Sequence, residues 1–366
     1  YIHLTYVPYM KSVGQQKTKP AQRDVQTLRE AGIFPDVIIA RSQEKLSKDA
    51  RAKIALFCDV EEEAVIPAPD IHSIYEIPID LEEQGFMNII AKKFNFTPKE
   101  NLDEWRRLIG NIRHHSKTIT VALCGKYTGL TDAYASLVES LNHAGAHVST
   151  KINVKMIEAT DIEEGKIPID QIFSNVDAII VPIGFGSRGA EGKIAAVRYA
   201  RENNIPYLGL CYGLQIAVIE FARNVCGLKD ANSTEINPKT KHPVVMILPE
   251  QRKIMEKGGT MRLGGVKSVI KRGTKVAQLY GTTTVDERHR HRYEVNPKYH
   301  KTLEKHGLVI SGTSRNGKLV EFIEVPNVKY FTATQAHPEY KSRLDNPSPL
   351  YLGLVKAAVE KRYGRT

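Results

Sequence analysis

One stretch constrains the fold of this chain more than any other: Pro206-Tyr207-Leu208-Gly209-Leu210-Cys211-Tyr212-Gly213-Leu214-Gln215. A β-type run passes through Gly-x-Cys-x-Gly straight into a helix with apolar residues at Ile216, Ile219, Phe221 and Ala222. Small residues on both sides of a nucleophile permit the sharp, strained strand-to-helix turn of a nucleophile elbow. Such a turn belongs to an α/β fold with a parallel sheet. The helix N-terminus behind Cys211 favours the reactive thiolate. The backbone N–H of Tyr212 then faces a developing oxyanion, where one donor is worth roughly 3–4 kcal/mol. The structural alternative is a buried core cysteine beside a tight turn.

A base follows downstream. After the strand-like Tyr330–Thr334 comes Gln335-Ala336-His337-Pro338-Glu339. His337 is suited to take the thiol proton, and Glu339 to orient the imidazole through its other nitrogen. A third element is the Gly-rich loop Val181-Pro182-Ile183-Gly184-Phe185-Gly186-Ser187-Arg188-Gly189, between a buried strand and a helix at Lys193–Ala200. Glycines there let backbone N–H groups approach an anion closely. Beside the thiol site, this loop is expected to give a second oxyanion donor.

The rest of the chain fits two α/β units. In residues 1–80, Ile2–Val7, a helix near Ala21–Ala31 and the apolar runs Val37–Ala40 and Ile54–Phe57 suggest strand–helix alternation and a parallel sheet. Residues 81–117 read as a polar helical linker. A second unit, 118–366, opens with the buried-strand run Ile119–Leu123 and a helix presenting Tyr134, Leu137, Val138, Leu141 and Ala144. Further strands are expected at Ile152–Ile157, Ala178–Val181, Tyr207–Leu210, Val244–Leu248, Val309–Ser311 and Leu319–Val325. Asn316-Gly317 marks a hairpin between the last two. The chain opens at Tyr1, without methionine, inside an apolar strand, so it is expected to be a fragment with a segment upstream.

Composition narrows the function classes. The formal net charge is +11 over 366 residues, but residues 1–117 hold 17 basic and 17 acidic side chains. Residues 239–305 hold 16 basic and 6 acidic ones, so the excess is local. Tyr280 and Tyr293 in that segment are not regularly interleaved with its basic residues, which argues against a nucleic-acid partner. His289 and His291, alternating with arginines, are expected to face solvent or a carboxylate rather than a metal. No apolar run reaches the roughly 20 residues of a membrane helix. Cys58, Cys124, Cys211 and Cys226 are scattered and form no CxxC pair, so free thiols and a cytoplasmic location are expected.

These residues resemble the class I glutamine amidotransferases, and more narrowly the CTP synthase family. The resemblance rests on His3–Tyr9, Lys17–Pro20, Arg51–Cys58, Ala231–Glu235, Gly259–Gly264 and Glu287–Glu294 as well as the elbow. It implies a flavodoxin-like amidotransferase domain after the remnant of a P-loop-like synthetase (amidoligase) domain. It implies Cys211, His337 and Glu339 as a glutaminase triad, with Ile183 and Tyr212 as oxyanion donors. Gly184, Gln215, Glu235 and Arg292 match positions that hold L-glutamine, Arg292 on the α-carboxylate and Glu235 on the α-ammonium. Lys17, Thr18, Lys19, Pro20, Ala21, Gln22 and Lys53 match positions that hold UTP or the feedback inhibitor CTP. Arg41, Asp70 and Ile71 match the region of the ATP adenine.

The resemblance further implies ATP and Mg2+ in the intact enzyme, GTP as activator, and a dimer or tetramer formed through the synthetase domain. No Gly-x-x-x-x-Gly-Lys-Ser/Thr occurs, so the phosphate loop and metal carboxylates are expected upstream of Tyr1. No metal site is assigned within the chain, and the chain alone is not expected to make CTP. Two departures stand out. Ile183 replaces a glycine of the family's Pro-Gly-Gly-Phe-Gly and, as a β-branched residue, is expected to fix the loop in one state and alter basal glutaminase activity. Ala21 replaces a common threonine and removes one hydroxyl contact. A different glutaminase subunit or a γ-glutamyl hydrolase is the nearest alternative, against which Lys17–Pro20 and Arg51–Cys58 argue.

Overall fold

Three short β-rich runs, β1 (Ile2–Tyr6), β4 (Val37–Arg41) and β5 (Val65–Ala68), pair in parallel in the order β1-β4-β5. Between them lie a two-residue-strand hairpin, β2 (Tyr9–Met10) with β3 (Gln15–Gln16), and two helices, α1 (Lys19–Glu30) and α2 (Lys48–Cys58). Pro20 sits in the first turn of α1, where its missing N–H costs nothing. Ala21 and Val25, one helical turn apart, pack into this unit's core with Ile38 and Ile54. The Ser47 hydroxyl caps α2 by accepting from the Ala50 N–H at 3.1 Å. Ile54–Phe57, grouped above with the apolar β-type runs, is therefore helical. Its burial follows a helical period, with Ile54, Ala55 and Cys58 inside while Leu56 and Phe57 face out. Helices α3 (Ile77–Glu83), α4 (Phe86–Phe94) and α5 (Asp103–Arg113) follow.

This computed structural model describes residues 1–99, 101–248 and 262–364. It separates into two units, Tyr1–Ile109 and Gly110–Thr366. Gly259, Thr260 and Met261, part of one family-like stretch, lie outside the described residues.

The second unit is built on β6 (Lys117–Gly125), α6 (Ala135–His147), β7 (Thr150–Glu158), α7 (Ala159–Glu163), α8 (Ile169–Ile172), β8 (Ala178–Val181), α9 (Ala190–Glu202), β9 (Tyr207–Leu210) and α10 (Tyr212–Asn224). Next come β10 (Ala231–Ser233), β11 (His242–Met246), β12 (Arg262–Ile270), β13 (Thr284–His291), β14 (Glu294–Val295), β15 (Val309–Ser314), β16 (Val320–Glu324) and β17 (Phe331–Thr334). The helix Pro349–Tyr363 closes the described chain.

Among the described residues one sheet has nine strands, in the order β13-β12-β15-β16-β17-β9-β8-β6-β7. Its parallel part, β7-β6-β8-β9-β17, has the flavodoxin-like order. Strands β8 and β9 are buried along their whole length, which is why they read as unbroken apolar runs. Strands β16, β15, β12 and β13 extend this sheet antiparallel. The β15–β16 turn carries Gly317 at φ 71°, and the Asn316 side chain accepts from the Lys318 N–H at 3.1 Å. In an open α/β sheet, ligands bind outside the carboxyl ends of the parallel strands. The loops after β8, β9 and β17 all leave from that end.

Candidate active site

Strand β9 ends at Leu210, and Cys211 turns the chain into α10 with φ 52° and ψ −96°. A non-glycine residue at positive φ is strained by about 1–3 kcal/mol, a cost that clusters at functional sites. The Cys211 N–H donates to the Thr334 carbonyl at 2.7 Å, locking the elbow to β17. Both flanking glycines are needed for space. A Cβ on Gly213 would lie 2.1 Å from the Val181 carbonyl oxygen, and one on Gly209 would lie 2.8 Å from the Gly213 carbonyl carbon. Gly213→Ala is therefore expected to destabilise the fold by about 1–3 kcal/mol. It should also lower glutamine turnover, because it displaces Val181 at the root of the 182–186 loop. Denaturant melts together with steady-state rates check this.

Because β17 lies parallel to β9, residues 335–339 emerge beside Cys211. The structure brings Cys211, His337 and Glu339 together, at 5%, 2% and 4% exposure, so all three side chains are shielded from water. His337 Nδ1 and Glu339 Oε1 are 2.8 Å apart, and the imidazole stacks on Tyr340. The His337 N–H donates to the Arg288 carbonyl at 2.7 Å, tying this turn to β13. Burial by itself would lower the His337 pKa. The nearby Cys211 sulfur and the Glu339 carboxylate outweigh it and push the value up to about 10. His337 Nε2 makes no hydrogen bond in the structure. Such bonds commonly tighten only when substrate is bound.

The sulfur has two further neighbours. Gln335 Nε2 donates to Sγ at 3.6 Å, and Sγ lies 3.9 Å from the Arg290 carbonyl. Gln215 Nε2 reaches the Gln335 side-chain oxygen at 3.4 Å and the Tyr293 carbonyl at 3.2 Å. Gln335 had been passed over in the sequence. Its only signal was its place two residues before His337, on the strand end that meets the elbow.

The loop after β8 is held from below. Lys126 Nζ donates to the Phe185 carbonyl at 2.6 Å, and the Tyr212 hydroxyl donates to the Gly186 carbonyl at 2.7 Å. Glu235 accepts from the Gly186 N–H at 3.0 Å. Burial raises the Glu235 pKa, against the Gly186 N–H and the charges of Lys126 and Arg292. Glu235 and Arg292 thus share one electrostatic environment at this loop. Gly184 is compact for a reason: a Cβ there would stand 2.8 Å from Lys193 Nζ and 3.1 Å from the Tyr212 ring. Positive φ values fall on Gly186 and Gly189, not on Ile183. Ile183 therefore keeps an ordinary backbone conformation.

Of the two surroundings expected for His289 and His291, solvent or a carboxylate, they take the carboxylate: His289 Nε2 lies 3.6 Å from Glu321 and His291 Nδ1 3.6 Å from Glu294. Along β13 burial alternates so that both histidines point inward while Arg288 and Arg290 face out. Their rings meet at 3.1 Å. Burial first, then the Arg262 charge, holds His289 down to about 3 and His291 well below the usual histidine range. Arg262 bridges Glu294 at 3.2 Å and Glu321 at 2.7 Å. This buried network backs the strand that carries the Arg290 carbonyl. They meet carboxylates rather than solvent because the antiparallel extension buries this face of β13.

In the first unit, Lys17 and Thr18 lead into α1 and Lys19, Pro20, Ala21 and Gln22 form its first turn. The Gln22 side chain donates to Thr18 Oγ1 at 3.1 Å. Ala21 is fully buried and its methyl group packs into the core of this unit. Lys53 is exposed and pairs with Asp49 at 2.6 Å. Arg41 pairs directly with Asp70 and donates to the Ala68 carbonyl at 3.0 Å; Ile71 follows Asp70 in the chain. Among the described residues no group of three or more His, Cys, Asp or Glu side chains is arranged to hold a metal ion. No described helix is long and apolar enough to cross a membrane.

Comparison with known proteins agrees with this geometry. Residues 129–357 match the model of class-I glutamine amidotransferases, and residues 1–96 match that of the CTP synthase N-terminus. The chain is 51% identical to the CTP synthase of Methanocaldococcus jannaschii, covering 99% of this chain and 68% of that protein. It is 48% identical to the CTP synthase of Bacillus subtilis, covering 98% and 67%. The solved glutaminase domain of Trypanosoma brucei CTPS, with bound acivicin, is 37% identical with a TM-score of 0.62, covering 67% of this chain and 95% of that one. The chain belongs to the CTP synthase family, whose members aminate UTP to CTP with ammonia taken from glutamine.

Proposed function

We propose that residues 110–364 carry out the glutaminase half-reaction through Cys211, His337 and Glu339. The observation that carries this reading is a buried cysteine on a strained elbow beside a buried His337–Glu339 pair. Cys211 Sγ attacks the glutamine side-chain carbonyl carbon, and the tetrahedral oxyanion is met by the backbone N–H groups of Tyr212 and Ile183. As the C–N bond breaks, His337 gives its proton to the leaving nitrogen, and ammonia departs from a γ-glutamyl thioester. Water, deprotonated by the same imidazole, then splits the thioester to glutamate. Glu339 keeps the imidazole oriented throughout.

Arg292 and Glu235 hold the α-carboxylate and α-ammonium of L-glutamine, with Gly184 and Gln215 lining the approach. Supporting this, Arg292 and Glu235 already act on each other electrostatically beside Gly186. Arg292→Ala is expected to raise the KM for glutamine about 10–100-fold while kcat falls far less, since a bidentate carboxylate contact is lost. Assaying glutamate and ammonia formation together tests both the variant and the reading. Equal amounts of the two products are expected from the unaltered chain, and a KM unchanged by the substitution removes Arg292 from the site.

The nucleotide side of the proposal is coarser. Lys17–Gln22 and Lys53 are assigned to UTP or CTP, and Arg41, Asp70 and Ile71 to the ATP adenine. GTP activation, CTP feedback, assembly as a homo-oligomer and a cytoplasmic location are proposed with the family. The family uses ATP and Mg2+, but the described residues lack a metal cluster and the sequence lacks a Walker-type loop.

A further inference from the structure

Beneath the loop after β8 lies a charge that the mechanism so far leaves unused. Lys193, in the first turn of α9, has no exposed surface, and its Nζ has no hydrogen-bond partner. Nζ lies 5.0 Å from the centroid of the Tyr212 ring and directly under Gly184. The titratable and charged groups that face it are Cys124 of β6, Lys126 just after that strand, Glu158 of β7 and Tyr212 of α10. None neutralises it. Burial holds the Cys124 thiol up at about 12, Lys126 is itself basic and bound to the Phe185 carbonyl, and Glu158 binds Thr128.

A buried cation without a partner is costly, and replacing such groups with apolar side chains often stabilises a fold. Two of the three donors under this loop already hold it: Lys126 on the Phe185 carbonyl and Tyr212 on the Gly186 carbonyl. Lys193 is the third donor, and it faces Gly184, next to the Ile183 amide. We propose that Lys193 is a positioning residue for glutamine hydrolysis, its buried ammonium fixing the Ile183–Gly184 segment so that the loop's N–H groups stay aimed at the oxyanion. The proposal rests on the glutaminase reading above and deepens it. The charge is needed when the oxyanion forms, so loss of the proton costs turnover rather than affinity. Burial, with a further push from Lys126, brings the Lys193 pKa down to about 8 against the opposing influence of Cys124 and Glu158. The ammonium is therefore charged below that pH and neutral above it.

The test is Lys193→Met, which keeps length and removes charge, assayed with L-glutamine from pH 6.5 to 9.5. The expected result is a kcat lower by about tenfold or more with KM changed less than about threefold. A melting temperature equal to or above that of the unaltered chain is expected alongside. The unaltered chain should lose kcat as pH rises through about 8, and the variant should lack that limb. A folded variant with kcat within about twofold of the unaltered chain overturns the proposal while leaving the glutaminase reading intact. If the variant does not fold, the profile of the unaltered chain decides, and a kcat that stays level to pH 9.5 overturns it. An unaltered chain that hydrolyses no glutamine sinks both.

Discussion

Cys211→Ala abolishes glutamine hydrolysis, with a loss in kcat on the order of 10⁶-fold, because no other group in the site can form the thioester. Burial raises the thiols of Cys58, Cys124 and Cys226, the last two to about 12 and about 11, leaving them poor nucleophiles near neutrality. The substitution removes only a sulfur, so the fold should survive. Relief of the strained φ is not expected either, since alanine also resists that conformation. In a chain of the relatives' full length, synthesis of CTP from added ammonia should persist while glutamine-dependent synthesis disappears. Loss of both would contradict a division of labour between ammonia production and its use.

Glu339→Gln should lower kcat by roughly 10²–10⁴-fold with little change in KM. The amide keeps the shape, but it no longer favours a protonated imidazole or fixes its orientation. His337 is held up at about 10 despite burial, so it stays protonated through neutrality beside the sulfur. In the variant that elevation shrinks, and the pH at which the His337 imidazole loses its proton, followed by NMR, should fall with it. Stability follows the same linkage. A raised histidine pKa contributes stability that is complete below the unfolded value of about 6.5. That contribution is lost as pH rises through about 10. The difference in stability between the unaltered chain and Glu339→Gln should therefore shrink from neutral pH upward. A constant difference across that range would mean that Glu339 acts through packing alone.

The sequence carried the parts of the site that depend on short-range chemistry. Gly209 and Gly213 around Cys211 announce a turn that no Cβ could share, and the structure puts backbone within 3 Å of both positions. The unbroken apolar runs at 178–181 and 207–210 likewise predict strands covered on both faces. What depended on long-range packing was harder to read. Ile54–Phe57 is apolar throughout, and only the packed helix reveals that Leu56 and Phe57 face outward. Alternation at Arg288–Arg292 was visible, but which face the sheet would cover was not, so solvent and a carboxylate stood as equal surroundings for His289 and His291 until the fold placed Glu321 and Glu294 beside them. Lys193 reads as a surface lysine until α9 is docked against β8 and α10.

The most direct test of the central claim is to rapidly acid-quench the chain during turnover with labelled L-glutamine and map the label by peptide mass spectrometry. The account predicts a γ-glutamyl thioester on the peptide containing Cys211, absent in Cys211→Ala. Label on any other residue, or ammonia release that survives in Cys211→Ala, would contradict it.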